Sequence, residues 1–254
     1  MSSFGILLVA FIIYFSHTSP LQYLFVATIA LLQAKALAEY YQLAKKKGLE
    51  PHVILPVLCS ILYIVAHYFF GVDQVVVPFL FLFMALAILR LFSKQENAIA
   101  NAAVTVFGVV YVTIPLSFLI DINFVHGSIW LVYLLITTKM ADTAAYFAGK
   151  LLGSHPLAPT LSPKKTIEGA IAGLLGSILT SVAFTSIVDL PIEEALVLGT
   201  LIGVISQVGD LAESLFKRDA AVKDSSTIPG FGGMLDLVDS LIFTTPILYF
   251  WIHA

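Results

Sequence analysis

Long apolar stretches separated by short polar connections dominate this 254-residue chain and leave it few ways to fold. Hydrophobic residues make up 59% of the sequence and charged residues 11%, whereas a soluble domain carries about 25% charged residues. A helix needs about 20 apolar residues to cross the hydrocarbon core of a bilayer. The pattern therefore predicts an all-α integral membrane protein, folded as a polytopic helical bundle.

About nine transmembrane helices are predicted when the chain is divided by that length. The first segment lacks the basic residues and the small-residue cleavage site of a signal peptide, so we interpret it as a retained span. No linker separates the helices, which favours one membrane domain over residues 1–254, with N-terminal hydrophobic helices in 1–125 and the polar motifs in 126–254. The predicted spans are 4–17, 20–41, 52–70, 75–94, 99–120, 127–148, 168–188, 194–212 and 237–253.

Basic residues lie in alternate connections, which predicts the orientation of the chain. The connections after the odd-numbered spans contain no Lys or Arg. Positively charged connections stay in the cytoplasm, so we expect a multi-pass protein of the inner membrane with a cytoplasmic N-terminus. The basic residues after the even-numbered spans are Lys45, Lys46, Lys47, Lys94, Lys150, Lys164, Lys165, Lys217, Arg218 and Lys223.

The segment from Ser214 to Ser240 concentrates charge that the rest of the chain avoids. Charge near lipid is costly and is typical of sites that bind ions or substrates. Gly230, Gly232 and Gly233 either allow close approach to a phosphate or simply form a turn. The charged residues of the segment are Lys217, Arg218, Asp219, Lys223, Asp224, Asp236 and Asp239.

Two polar stripes flank this segment at helical spacing. Carboxylates from two helix ends, near phosphate, are the oxygen ligands that Mg²⁺ prefers. A one-sided polar stripe at the end of a membrane helix faces protein or water rather than lipid. The stripes consist of Asp210, Glu213, Ser214 and Lys217 on the first helix and Asp236, Asp239 and Ser240 on the second.

Two further polar groups lie upstream. Lys139, Asp142 and Tyr146 share a helical face, where Lys139 is either an intrahelical partner of Asp142 or a functional residue. The string LAPTLSPKKTIEG precedes a helix that begins near Ile167 or Glu168, and a helix N-terminus with lysines and hydroxyls suits phosphate. Its candidate residues are Ser162, Lys164, Lys165, Thr166 and Glu168.

Several other readings are disfavoured by the sequence. The single Cys59 lies in an apolar run, which excludes a disulfide scaffold, and no histidine has ligand spacing with another. A net charge of −3 with no basic tail gives no reason to expect a nucleic-acid partner. Gly169, Gly173 and Gly176 are expected to form a small-residue face for helix packing rather than to act chemically.

Across residues 139–245 the chain resembles the phosphatidate cytidylyltransferases, or CDP-diacylglycerol synthases. Phe231 and Leu237 depart from that family's pattern, which usually has His and Arg there. The strings AYFAGK, LAPTLSPKKTIEG and QVGDLAESLFKR are also similar to the family's. The residues that match its signature are Ser214, Lys217, Arg218, Lys223, Asp224, Pro229, Gly230, Gly232, Gly233, Asp236, Asp239 and Ser240.

The resemblance implies transfer of CMP from CTP to phosphatidic acid, giving CDP-diacylglycerol and pyrophosphate, with the catalytic half in residues 126–254. One or two Mg²⁺ ions, with a monovalent cation such as K⁺ as a further candidate, would be held by Asp210, Asp236, Asp239 and Asp224. Lys217, Arg218 and Lys223 would neutralise phosphate charge. The residues expected to bind substrate are Asp142, Ser162, Lys164, Lys165, Thr166, Glu168, Ser214, Gly230, Gly232, Gly233 and Ser240.

Two alternatives remain open from the sequence. A CTP-dependent kinase of a polyprenol or lipid alcohol would use similar residues but would release CDP. An ion-coupled transporter would place its charges near the bilayer midplane in two matching halves, which this sequence does not show. Dimerisation through a helix face is common for such bundles, so a homodimer is a further candidate assembly.

Overall fold

Helices run through nearly all of the chain that the structure, a computed structural model, describes: residues 16–18, 20–91, 97–222 and 233–253. A short antiparallel hairpin is formed by β1 and β2. The helices before it are α1 Leu21–Lys46, α2 Ile54–Phe70, α3 Val72–Leu91, α4 Ala98–Gly108, α5 Ile114–Asp121 and α6 Ser128–Leu152. The hairpin and the later helices are β1 Pro156–Ala158, β2 Ser162–Thr166, α7 Ile167–Ala183, α8 Thr185–Val188, α9 Ile192–Asp219 and α10 Met234–His253.

One π-helical turn joins α4 to α5 and a second extends α5, which makes one long rod that ends at His126. The two turns span Val109–Thr113 and Ile122–His126, so that Ala98–His126 forms a single apolar run of 29 residues. The rod packs against α1, where Tyr41 is fully buried and its hydroxyl donates to the Thr105 carbonyl at 2.7 Å.

The described residues divide into two compact units. The first contains those up to Ser128 together with those between Asp219 and Leu235, and the second contains Ile129–Arg218 and the residues from Asp236 onward. In the first unit, α1, α2, α3 and the rod surround a core that includes Leu37, Ile64 and Leu116.

The second unit contains α6, the hairpin, α7, α8, α9 and most of α10. Small hydroxyl residues join three of these helices at buried positions. Tyr133 of α6 donates to Ser181 of α7 at 2.7 Å, and Ser181 in turn donates to the Ala195 carbonyl of α9 at 2.6 Å. One helical turn earlier, Ser177 donates to the Gly199 carbonyl at 2.8 Å.

The predicted fold class, an all-α membrane protein, is confirmed. Among the described residues, four helical segments are long and apolar enough to cross a membrane: Leu21–Lys46, Ala98–His126, Ile192–Asp219 and Met234–His253. Three shorter apolar helices lie at Ile54–Phe70, Val72–Ile88 and Ile167–Ala183. The remaining long helix, α6, coincides with the predicted span 127–148, but Lys139 and Asp142 interrupt its apolar sequence.

Helices coincide with eight of the predicted spans. The first, 4–17, falls almost wholly outside the described residues, so a total of nine crossings stays a prediction. The single-domain organisation also stays a prediction. The predicted spans 127–148 and 168–188 leave residues 149–167 as a loop between them. In the structure, α6 continues to Leu152 and the hairpin then begins at Pro156.

Candidate active site

Helices α6 and α7 approach closely because glycines line the face of α7. A Cβ added to Gly169 would lie 2.8 Å from the Ala145 carbonyl oxygen, and one added to Gly173 would lie 2.9 Å from that of Ala141. A Cβ at Gly176 would similarly meet the Ala144 methyl at 2.8 Å. The packing role predicted for the three glycines is therefore confirmed.

The hairpin between these helices is fastened at its base by one carboxylate. Glu168 accepts from His155 Nδ1 at 2.6 Å and from the backbone amides of Ser154 and His155 at 3.1 and 3.3 Å. Thr166 accepts from the Gly169 amide at 3.2 Å and caps α7, which begins at Ile167, within the range that the sequence predicts. The Glu168 carboxylate therefore accepts hydrogen bonds within the hairpin, and it does not line the cavity described next. Its predicted role in substrate binding stays a prediction.

A cavity of about 480 Å³ opens between α6, the hairpin, α7 and α9. Its walls combine a cationic side with carboxylates, hydroxyl and amide groups, over small residues that leave space. The residues that line it are Ala141, Asp142, Ala145, Tyr146, Gly149, Lys150, Leu157, Lys164, Lys165, Thr166, Gly169, Ala170, Gln207 and Asp210.

Carboxylates at the cavity pair with lysines. Lys165 Nζ lies 2.7 Å from Asp210 Oδ2, and the side chains of this pair are 24% and 41% exposed. Lys139 Nζ lies 3.0 Å from Asp142 Oδ2, which is the intrahelical pair anticipated for Lys139. Both pairs are partly exposed, and exposed ion pairs contribute little to stability, so a bound ligand could replace one partner at little cost.

A second cluster lies where α9 and α10 cross. Lys217 contacts the carboxylates of both Glu213 and Asp236, with 2.5 Å to Glu213 Oε2. Glu213 is 1% exposed, and its Oε1 has no hydrogen-bond partner within the described chain. One ammonium group therefore joins the two helices, and a buried carboxylate oxygen beside it is left without a donor.

The same two helices are in backbone contact one turn away. A Cβ added to Gly209 would lie 2.5 Å from the Asp239 carbonyl oxygen, so only glycine permits this approach. Asp210 follows Gly209 directly. Its carboxylate is close enough to that of Asp239 for the two negative charges to repel each other. Asp239 is 5% exposed, and its Oδ1 accepts from the Ser240 amide and hydroxyl at 2.6 and 3.1 Å.

Arg218 connects this crossing to the hairpin. Its Nε donates to the Leu161 carbonyl at 3.0 Å, at the tip of the hairpin that carries Lys164 and Lys165. The contact holds the tip of the hairpin against the end of α9. The charge-neutralising role predicted for Arg218 stays a prediction.

The structure thus groups most of the predicted site residues. Asp142, Lys164, Lys165, Thr166 and Asp210 line the cavity, whereas Lys217, Asp236, Asp239 and Ser240 lie at the crossing of α9 and α10. Ser162 and Ser214 are half-buried on β2 and α9, and Gly233 is buried just before α10. Lys223, Asp224, Gly230 and Gly232 lie outside the described residues, as does Phe231. Leu237, which stands where the resembled pattern has Arg, lies on the exposed side of α10.

The sequence did not indicate two residues that line the cavity, and it did not indicate the burial of a third residue nearby. Gln207 lies one turn before Asp210 and lines the cavity, a position that helical spacing could have indicated. Lys150 also lines the cavity, although its sequence suggests only a membrane-flanking cation. Glu213 was recognised on the polar stripe but not as a buried carboxylate, because burial depends on α10.

The carboxylates of this region fit a divalent cation that is shared with a phosphate ligand. No group of three or more His, Cys, Asp or Glu side chains within the described ranges is arranged to hold a metal. Mg²⁺ commonly takes one or two protein carboxylates and completes its shell with water and substrate phosphates. Among the described residues, Asp210 on α9 and Asp236 and Asp239 on α10 supply such donors.

Comparisons with known proteins agree with the motifs. The chain is 39% identical over 191 residues to the phosphatidate cytidylyltransferase of Chlamydia trachomatis serovar D, covering 68% of this chain and 62% of the relative. It is 37% identical over 181 residues to that of Chlamydia pneumoniae, covering 65% and 59%. It is also 39% identical over 159 residues to that of Staphylococcus aureus strain COL, covering 61% of each.

The chain therefore spans about three fifths of the length of these curated relatives. A sequence model described as the Cytidylyltransferase family matches residues 1–254. With the polar helix ends and the cavity described above, this match shows that the chain belongs to the Cytidylyltransferase family.

Proposed function

We propose that this chain transfers CMP from CTP to phosphatidic acid, forming CDP-diacylglycerol and pyrophosphate for phospholipid biosynthesis. Family membership and the names of the relatives support the reaction class. The observation that carries the proposal is a polar cavity at the ends of apolar helices, lined by cations and carboxylates. Lys164, Lys165 and Asp210 meet there within a volume of about 480 Å³.

The chemistry is a single displacement at phosphorus. An oxygen of the phosphatidate phosphate forms a bond to the α-phosphorus of CTP, and the bond from that phosphorus to the bridging oxygen breaks. Pyrophosphate leaves with the electron pair of the broken bond. The attacking phosphate is already an anion, so no base has to remove a proton, and catalysis consists of positioning and charge neutralisation.

The lysines of the cavity supply that neutralisation. Lys164 and Lys165 lie on β2 and face the cavity beside Thr166, whose backbone leads into the N-terminus of α7. Phosphate oxygens would replace the Asp210 carboxylate as the partner of Lys165. Lys217, with Arg218, Lys223 and the hydroxyls of Ser162, Ser214 and Ser240, is proposed to bind the remaining phosphate oxygens.

Asp210, Asp236 and Asp239, with Asp224, are proposed to hold one or two Mg²⁺ ions, with K⁺ as a further candidate. Such a cation would stabilise negative charge on the entering and leaving phosphate oxygens. The protein's own contribution is to keep Asp210, Asp236 and Asp239 at one helix crossing, through the Gly209 contact and the Lys217 bridge. Asp142 and Gly230, Gly232 and Gly233 complete the proposed substrate contacts.

Charge placement supports a location in the inner membrane with the N-terminus in the cytoplasm and the site facing the cytoplasm. The ends of α6 and α9 and the starts of α7 and α10 carry the polar residues of the site, which suits a water-soluble nucleotide approaching from one side. The acyl chains of phosphatidic acid would stay in the bilayer. A homodimer is the proposed assembly.

Labelled CTP distinguishes this reaction from lipid phosphorylation. Purified protein in mixed micelles that contain both phosphatidic acid and a polyprenol is given CTP labelled on either the α- or the γ-phosphorus. Label from the α-position in the lipid, with release of pyrophosphate, supports the proposal. Label from the γ-position in lipid, with CDP as the other product, would instead identify a kinase.

The substitution Asp236→Asn tests the site in the same assay. It removes one negative charge from the Lys217 bridge while keeping the shape of the side chain, and we expect turnover to fall by about 100-fold. Asp189→Asn is the matched control, because Asp189 is exposed and its positive φ of 53° is readily adopted by Asn. Near-native turnover of Asp236→Asn would remove this residue from the proposed site.

A further inference from the structure

Helix α1 contacts both ends of the segment that leads from α9 into α10, although the sequence predicts no site residue in α1. Lys47, just after α1, donates to Asp219 Oδ1 at 2.7 Å. Glu39, two turns earlier, accepts from the Leu235 backbone amide through Oε2 at 2.9 Å. All four residues belong to the same compact unit.

Glu39 supplies a hydrogen-bond acceptor to the start of α10, and the Leu235 amide of α10 supplies a donor to Glu39. Glu39 is 5% exposed, and a carboxylate removed from water needs hydrogen-bond donors or a positive charge. Leu235 is the second residue of α10, so its amide is among those at a helix start with no acceptor inside the helix. An acidic side chain there is also attracted to the partial positive charge of the helix N-terminus.

The other contact of α1 is weaker. The Lys47 and Asp219 side chains are 50% and 58% exposed, and pairs open to water contribute little to stability. The buried Glu39 contact is therefore the one that fixes the beginning of α10.

We infer that Glu39 is a positioning residue for the proposed transfer reaction, on which this inference rests. Asp236 follows Leu235 directly, and Asp239 lies one helical turn further along α10. By holding the first turn of α10, Glu39 sets the direction in which both carboxylates leave the helix. Misplacement of reacting groups by about 1 Å can cost about 100-fold in rate, so a distant cap has a large effect on turnover.

Three variants separate positioning from general stability. Glu39→Leu removes the acceptor, whereas Glu39→Gln keeps an oxygen that can accept from Leu235. Gln33→Leu is the matched control, since Gln33 is fully buried in the same helix but donates to the Ser60 carbonyl of α2. Each variant is measured for kcat, for KM of CTP, for its thermal midpoint in detergent, and for hydrogen–deuterium exchange at the start of α10.

We expect Glu39→Leu to lower kcat by about tenfold or more, with a smaller change in KM, and to speed exchange at Leu235. Glu39→Gln should restore most of the rate and of the protection. Gln33→Leu should lower the thermal midpoint and leave exchange at Leu235 unchanged. Lys47→Ala should change kcat by less than about twofold.

Wild-type exchange and wild-type kcat in Glu39→Leu would overturn the inference. Equal losses of kcat in Glu39→Leu and Gln33→Leu, with equal drops in thermal midpoint, would overturn it as well. If Glu39→Leu does not accumulate in membranes, Glu39→Asp makes the same test, because its carboxylate is one methylene too short to reach. If the wild-type protein forms no CDP-diacylglycerol, the proposed function is wrong and the positioning role fails with it. Hydrogen–deuterium exchange at Leu235 would still show whether Glu39 caps α10.

Discussion

The two compact units both pair a carboxylate with a basic group, but one pair is buried and the other is partly exposed. In the first unit, His67 donates to Asp121 at 2.6 Å, with side chains 0% and 11% exposed. In the second, Lys165 and Asp210 are 2.7 Å apart at the wall of a cavity, with side chains 24% and 41% exposed. The closed pair can only hold the fold together, whereas the open pair can change partners when a ligand arrives.

The tight surroundings of the closed pair support this distinction. The His67 ring packs edge-to-face on Tyr63, whose hydroxyl lies 3.4 Å from the Ser117 hydroxyl. Within the described residues, the second ring nitrogen of His67 is buried without a hydrogen-bond partner. Asp121 is thus the group that satisfies this histidine, at a place where both side chains are almost fully removed from solvent.

The largest effect is expected in the first unit. Asp121→Ala would leave His67 buried without its acceptor, which should lower the free energy of unfolding by about 3–5 kcal/mol. The thermal midpoint in detergent should fall steeply, while kcat per folded molecule stays near the wild-type value. Asp121→Asn, which keeps an acceptor oxygen, should lose much less. An unchanged thermal midpoint in Asp121→Ala would contradict the structural assignment of this pair.

The next effect concerns the open pair of the second unit and has the opposite character. Asp210→Asn should reduce kcat/KM by about 100-fold, equivalent to about 2.7 kcal/mol, because it removes the proposed cation ligand and the charged partner of Lys165. The free energy of unfolding should change by no more than about 0.5 kcal/mol, since the side chain is partly exposed. Glu193→Gln, an exposed carboxylate at the start of α9, serves as the control. A large drop in the thermal midpoint of Asp210→Asn without loss of turnover would show that this pair stabilises the fold and does not serve the reaction.

The smallest effect is expected for Lys139→Ala. The pair with Asp142 joins residues three apart on one helix, with side chains 47% and 34% exposed, so its loss should change stability by about 0.5 kcal/mol or less. Turnover measured at saturating CTP should remain within about twofold of wild type. A loss of tenfold or more would give Lys139 the functional role that the sequence leaves open.

Sequence patterns anticipate the helices well because each needs only its own apolar length. Helical spacing also identifies Asp210 with Lys217 and Asp236 with Asp239, since residues on one face are related by local geometry. The partners across helices could not be predicted: Lys165 for Asp210, the Leu161 carbonyl for Arg218, and the Leu235 amide for Glu39. These contacts depend on how distant segments pack, which no local pattern encodes.

Glu168 shows the same limit from the other side. Its place in the SPKKTIEG string suggests contact with substrate, yet its acceptors are filled by Ser154 and His155 at the base of the hairpin. Glu168 therefore also shapes the loop that carries the lysines, while its predicted contact with substrate stays a prediction. The contacts with Ser154 and His155 depend on how the hairpin folds, which no local pattern encodes.

The bridge made by Lys217, together with the backbone contact at Gly209, means that α9 and α10 hold each other side by side without relying on the peptide that connects them. A protein nicked by a protease between these helices should therefore keep both fragments together in detergent. Separating the fragments would require breaking the Lys217 ion pairs and the close backbone contact at Gly209 together.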